Sequence, residues 1–166
     1  MHLLRSTRFS CEIGDLTLYE NDNHIVAVTW ARLPGSQGEG PCEQPGALLS
    51  EAKRQMKAYF QGKLRAFDLP LEVGGSDFQK DVCNEMLQIP YGETWTYGDI
   101  ATKLKTSAQP VGGACGRNPI PIIIPCHRVM GADDKLTGFS GAGGVVTKKQ
   151  LLEHEGWRPK APDLFD

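Results

Sequence analysis

Residues 96–116 read TYGDIATKLKTSAQPVGGACG. Thr96-x-x-Asp99 is a capping box that opens a helix, YGDIATKL. Thr106 or Ser107 can cap a following helix, AQPVGGACG, in which Pro110 is tolerable because it falls in the first turn, where an absent N–H matters little. Two short helices with a tight link read as a helix-turn-helix. The second helix carries Ala108, Gly112, Gly113 and Ala114, a face almost without side-chain bulk. Such a face either packs closely on another helix or approaches something broad and shallow, such as a DNA minor groove. From Thr102 to Arg128 the chain has four basic residues, Lys103, Lys105, Arg117 and Arg128, and no acidic one. That this acid-free run spans the same helix favours nucleic acid, although a net charge of −2 alone announces no such partner.

Upstream, Ser76-x-x-Gln79 is a second capping box, opening a helix with Phe78, Val82 and Met86 on one face and ending before Pro90. Gly74-Gly75 is a boundary between two small lobes. Before it, IGDLTLYE alternates with Ile13, Leu16 and Leu18 apolar, NDN is turn chemistry, and HIVAVTWARL is a second strand. PGSQGEGPCEQPG is a loop. From Ala47, the residues Leu48, Leu49, Ala52, Met56, Tyr59 and Phe60 recur at helical spacing up to the QGK break.

The whole chain, 166 residues with 40% hydrophobic and 23% charged, is long enough to bury a real core. Its apolar runs are short, and MHLLRSTRF has neither the long apolar segment nor the cleavage site of a signal peptide, so the cytoplasm is the expected location. Five cysteines, at 11, 42, 83, 115 and 126, are odd in number and widely spaced, which reads as reduced thiols. No Cys-x-x-Cys pair suggests zinc, and Cys11 with His24 lacks a second ligand pair, so no metal is expected.

Downstream of the helix-turn-helix, IPIIIPCHRV (120–129) reads as a short buried strand, kept by Pro119, Pro121 and Pro125 from the hydrogen-bonded centre of a sheet. It ends on Cys126 and His127. A cysteine there is either an inert core residue or a nucleophile, and a nucleophile wants a base or a cation beside it, because an ordinary thiol is only a few per cent ionised at neutral pH. His127 and Arg128 supply both types. Neighbours in an extended chain point to opposite faces, so His127 reaches the sulfur only through a bend or a bridging water. Glu153 or Glu155, near the end of a capped helix TKKQLLEHEG, is the candidate to orient the imidazole.

RNPIPIIIPCHRVMG, with FQKDVCNEMLQIPYGETWTYGDIA before it and LTGFSGAGG and LLEHEG after it, resembles the O6-alkylguanine-DNA alkyltransferases, also called methylated-DNA–protein-cysteine methyltransferases. The likeness is close from Ser76 to Gly156, and in the N-terminal lobe it extends only to the plan of a small sheet plus a helix. It implies a fold of two parts: residues 1–73 as an α/β, ribonuclease H-like lobe with a small antiparallel sheet plus helix, and residues 74–166 as a mainly helical, winged-helix-like DNA-binding domain. It also implies single-turnover transfer of an alkyl group from O6-alkylguanine, with O4-alkylthymine a candidate second substrate. The partner is double-stranded DNA carrying alkylated bases; no cofactor is needed, and the protein acts as a monomer away from membranes. Carried over by position, Cys126 accepts the alkyl group, His127 is its base through a water, Glu155 orients His127, and Asn118 braces the cysteine turn. Tyr97 donates a proton to the leaving guanine. Pro121, Val129, Phe139 and Ser140 line the base pocket, and Thr96, Ala108, Gln109, Gly112, Arg117 and Arg128 face DNA.

Three departures accompany the resemblance. Gln109, followed by Pro110, stands where the family usually has an arginine that enters the base stack; Phe139 stands where a tyrosine is common, and Cys83 where many relatives have tryptophan. Two rival functions remain: a module that binds alkylated DNA without repairing it, although such relatives lose the cysteine, and a thiol enzyme of the same fold with a non-DNA donor.

Overall fold

The computed structural model describes residues 4–30, 46–139 and 143–159. The N-terminal sheet has three antiparallel strands in the order β1 (Arg5–Cys11), β2 (Gly14–Asn21), β3 (His24–Thr29). The sequence expectation had the β2–β3 hairpin but not β1, where only Thr7 and Phe9 are buried along an otherwise polar stretch. Asp22 and Asn23 both take left-handed backbone, with φ of 50° and 63°, the two-residue turn that matches the twist of paired strands. Leu16 and Leu18 face Phe9 and Val28 across the ladder. Helix α1 (Ala47–Phe60) covers this sheet with Leu49, Ala52, Met56 and Tyr59, the helical stripe read from the sequence. The expected loop from Pro34 and Ser140 of the expected pocket lie outside the described residues, except that Gly46 is seen.

The connecting chain then runs beside β3, with the Ile25 N–H donating to the Pro70 carbonyl at 2.8 Å and the Glu72 N–H to the Ile25 carbonyl at 3.0 Å. Beyond Gly74-Gly75 come α2 (Asp77–Met86), α3 (Tyr97–Leu104) and α4 (Ala108–Gly116). Thr96 and Asp99 form the full reciprocal cap of α3. Ser76 accepts from the Gln79 N–H, but the Gln79 side chain does not return the bond: its amide donates to the Ala114 carbonyl at 2.8 Å and so ties α2 to α4. Lys105 ends α3 in the left-handed region, which turns the chain sharply into α4. A short parallel pair, β4 (Trp95–Thr96) with β5 (Val129–Met130), draws the chain after Cys126 against the start of α3. Helix α5 (Val145–His154) begins two residues before the expected TKKQ segment, behind Gly144 and without a side-chain cap.

The two lobes share one continuous apolar core, with Leu16, Met56, Met86, Ile100 and Ile124 in the same cluster. The Val28 N–H donates to the Pro119 carbonyl at 3.0 Å across their junction.

Candidate active site

Residues 120–124 are not a strand. They form a wholly buried turn, closed by the Ile124 N–H donating to the Ile120 carbonyl at 2.9 Å, with Ile122 at a φ of 75°. The reason lies in the accounting of buried backbone groups. Prolines at 119, 121 and 125 remove three donors, and the Asn118 side chain ties the two ends of the turn together: it accepts from the Ile120 N–H at 3.0 Å and donates to the Ile124 carbonyl at 2.8 Å. The chain leaves this turn as a short 3₁₀ segment, Cys126–Arg128, which supplies the bend that an extended strand would have lacked.

Cys126, 5% exposed, opens on a cavity of about 380 Å³. One wall is Tyr97 with the α4 residues Gly112, Cys115 and Gly116; the other is Thr137, Gly138 and Phe139. The Tyr97 hydroxyl accepts from Thr137 Oγ1 at 3.2 Å, which links the walls. Phe139 is backed edge-on by Trp30 of the N-terminal lobe, with ring centroids 5.9 Å apart. Burial pushes the Cys126 thiol up to about 11, against the opposing pull of Asn118 and the Lys148 ammonium. The thiol is therefore held neutral until a base removes its proton.

Behind the cysteine lies a buried charge network. His127 Nε2 is 2.8 Å from Glu155 Oε2. Arg128 grips the same carboxylate with Nε to Oε1 at 2.8 Å and Nη2 to Oε2 at 2.9 Å, and its Nη1 donates to the Ile89 carbonyl at 2.7 Å. Burial opposes ionisation of Glu155, but the hydrogen bonds and charges of His127 and Arg128 outweigh it and hold the carboxyl below the usual range. Burial lowers the His127 pKa in spite of Glu155, so the imidazole is neutral, with Nε2–H donating to the carboxylate. Its other nitrogen, Nδ1, is buried with no hydrogen-bond partner among the described residues. A neutral ring whose Nε2 is the donor presents Nδ1 as a proton acceptor.

The 6-O-methylguanine DNA methyltransferase models match nearly all of this architecture: the ribonuclease-like domain over residues 4–73 and the DNA binding domain over residues 77–157. The chain belongs to that family. A methylated-DNA–protein-cysteine methyltransferase of Methanosarcina acetivorans is 52% identical over 156 residues, 89% of this chain and 96% of the relative. One from Mycobacterium bovis is 50% identical over 74% of each chain. A crystal structure of Mycobacterium tuberculosis OGT in complex with DNA is 41% identical, with a TM-score of 0.80 over 98% of this chain and 99% of that one.

In this methyltransferase the structure gathers Tyr97, Gly112, Cys126 and Phe139 at the cavity, with His127 and Glu155 behind it and Asn118 under the turn. Glu153 instead points outward, 3.8 Å from Lys149. Three expectations are corrected. Arg128 does not face DNA: its guanidinium is buried because the ionised Glu155 beside it needs a permanent counter-charge. Pro121 and Val129 do not line the cavity: Pro121 is buried in the turn, and Val129 in β5, where its carbonyl accepts from Lys148 Nζ. Ala108, Gln109 and Arg117 are exposed on and just beyond α4, whereas the Thr96 hydroxyl is occupied in capping α3.

Sequence reading missed Lys148, Thr137, Cys115 and Tyr59. Lys148 is fully buried and donates to the Val129 and Thr137 carbonyls, joining the cysteine segment to the cavity's far wall. Its spacing from Leu151 and Leu152 places it on the buried face of α5, a signal that was available. The other contacts depend on how distant segments meet.

Proposed function

We propose that this chain repairs DNA by direct reversal, as a methylated-DNA–protein-cysteine methyltransferase that moves the alkyl group of O6-alkylguanine in duplex DNA to its own Cys126. The observation that carries this reading is the Cys126 thiol opening on a cavity that Tyr97 and Phe139 flank, with the 2.8 Å His127–Glu155 pair behind it in a chain of this family.

The lesion base leaves the stack to enter the cavity, because an in-line attack on the alkyl carbon is not possible inside a duplex. His127, with Nδ1 as acceptor, takes the thiol proton through a bridging water, and Glu155 holds the resulting imidazolium. The sulfur–carbon bond forms as the carbon–O6 bond breaks, and the bond pair passes to the purine. Tyr97 donates a proton to the leaving guanine and recovers one from the relay. The balanced outcome is thiol plus O6-alkylguanine giving thioether plus guanine. No ordinary thiol chemistry cleaves the thioether, so each chain acts once, as a monomer and without a cofactor.

The smooth outer face of α4, with Ala108, Gln109, Gly113 and Arg117 exposed, supports a minor-groove approach. Gln109 fills the gap left by the flipped base; an amide can hydrogen-bond the orphaned partner but lacks the charge and stacking plane of a guanidinium. A thiol acceptor must stay reduced, which supports a cytoplasmic site of action, and among the described residues Cys11, Cys83, Cys115 and Cys126 are all free. Cys126→Ala tests the assignment: it should abolish transfer yet bind O6-methylguanine duplex as the wild type does. Transfer surviving in that variant would refute the assignment.

A further inference from the structure

The donor that completes the Glu155 carboxylate comes from the other lobe. Tyr59, in the last turn of α1, donates its hydroxyl to Glu155 Oε2 at 2.7 Å in a buried contact. The same oxygen meets His127 Nε2 at 2.8 Å and Arg128 Nη2 at 2.9 Å. The phenol ring is held edge-on to Phe60 and Tyr91, at 5.0 and 6.2 Å between centroids. His154 Nε2 lies 2.7 Å from the Tyr59 carbonyl, which fixes the backbone as well. A phenylalanine would fill this space equally well, and burying a hydroxyl is unfavourable unless it is bonded. Packing thus explains the ring and not the oxygen.

We propose that Tyr59 is a positioning residue of the alkyl transfer: its hydrogen bond to Glu155 lets the N-terminal lobe set the orientation and basicity of His127. This rests on the function proposed above. The groups facing the pair are few. Glu155 meets Tyr59 from α1, His127 and Arg128 from the cysteine segment, and the Gly92 N–H at 3.5 Å, with the Tyr91 ring close by. His127 also feels Lys148 from α5. Burial and the Glu155 charge hold the Tyr59 phenol protonated, so it acts only as a donor. A donor on the carboxylate spreads its charge and weakens its hold on an imidazolium. Without the Tyr59 hydroxyl, Glu155 pulls harder on the His127 proton, the His127 pKa rises, and neutral imidazole is available only at higher pH.

Single-turnover transfer from O6-methylguanine duplex, measured across pH for wild type and Tyr59→Phe, tests this. The expected result is transfer slower by about tenfold at neutral pH, with the acid limb of the profile displaced upward. Should Tyr59→Phe not fold, 3-fluorotyrosine at position 59 keeps the shape and strengthens the donor, and the acid limb should then move downward. A purely structural role would lower the melting temperature but leave the limb in place below it. Wild-type transfer to Cys126 with an unmoved limb in whichever variant folds would overturn this inference alone; absence of wild-type transfer would overturn the proposed function with it.

Discussion

Arg128 and Glu155 form a buried two-point pair, Nε to Oε1 at 2.8 Å and Nη2 to Oε2 at 2.9 Å. The pair fixes the charge state of everything around it: a permanent cation keeps Glu155 ionised, and this leaves His127 free to be neutral.

Replacing Arg128 by leucine leaves the Glu155 charge buried and uncompensated, and should cost about 3–5 kcal/mol in urea unfolding. It should leave the salt dependence of DNA binding unchanged. Arg117→Ala should do the reverse, with stability kept and the slope of log K against log salt reduced by about 1. A reduced slope for Arg128→Leu would return that residue to the DNA-facing surface.

Acid should weaken the fold in two stages. His127 binds its proton more weakly in the folded than in the unfolded chain, so the unfolded state gains protons first as pH falls below about 6.5. Glu155 is likewise depressed, and its contribution, full above about pH 4.3, is lost as pH falls further. Urea midpoints measured from pH 8 to 4 should therefore fall from about pH 6.5 downward, and His127→Gln should remove the first stage. An unchanged midpoint between pH 7 and 5.5 in the wild type would contradict this.

Asn118→Ala strips the partner from the buried Ile120 N–H and leaves the Ile124 carbonyl with the Cys126 N–H alone. The orphaned Ile120 N–H should cost about 1–3 kcal/mol. Thermal melts should show the loss, and transfer should slow well below the melting temperature because the turn aims Cys126.

Much of the helical architecture was legible because it is local. The Thr96–Asp99 cap, the α1 stripe ending at Phe60 and the Pro-Cys-His-Arg motif carry their meaning within a few residues. What failed was one local competition and two non-local pairings. An apolar run rich in isoleucine favours a strand, and only the side chain of Asn118 with three missing proline donors makes it a turn. Arg128 looks like a DNA contact in a basic stretch until Glu155, just past the end of α5, meets it. Tyr59 reads as core because nothing near it in sequence reveals a carboxylate 96 positions away.

Base flipping should be limited by Gln109. Extruding a paired base costs a few kcal/mol, and the inserted residue offsets part of that. Gln109→Arg should speed transfer from duplex DNA while leaving free O6-benzylguanine unaffected. Pro110→Ala belongs in the same series, since the ring restricts the backbone at Gln109. Equal acceleration on both substrates would show that the position does not act in flipping.

The chemistry proposed for Cys126 is a single, irreversible transfer to one sulfur. Intact mass and peptide mapping after incubation with excess O6-methylguanine duplex decide it. One methyl group per chain, located on Cys126 and matched by one restored guanine, is the expected result. Repeated turnover, a methyl group on any other residue, or a lesion bound but unaltered would contradict it.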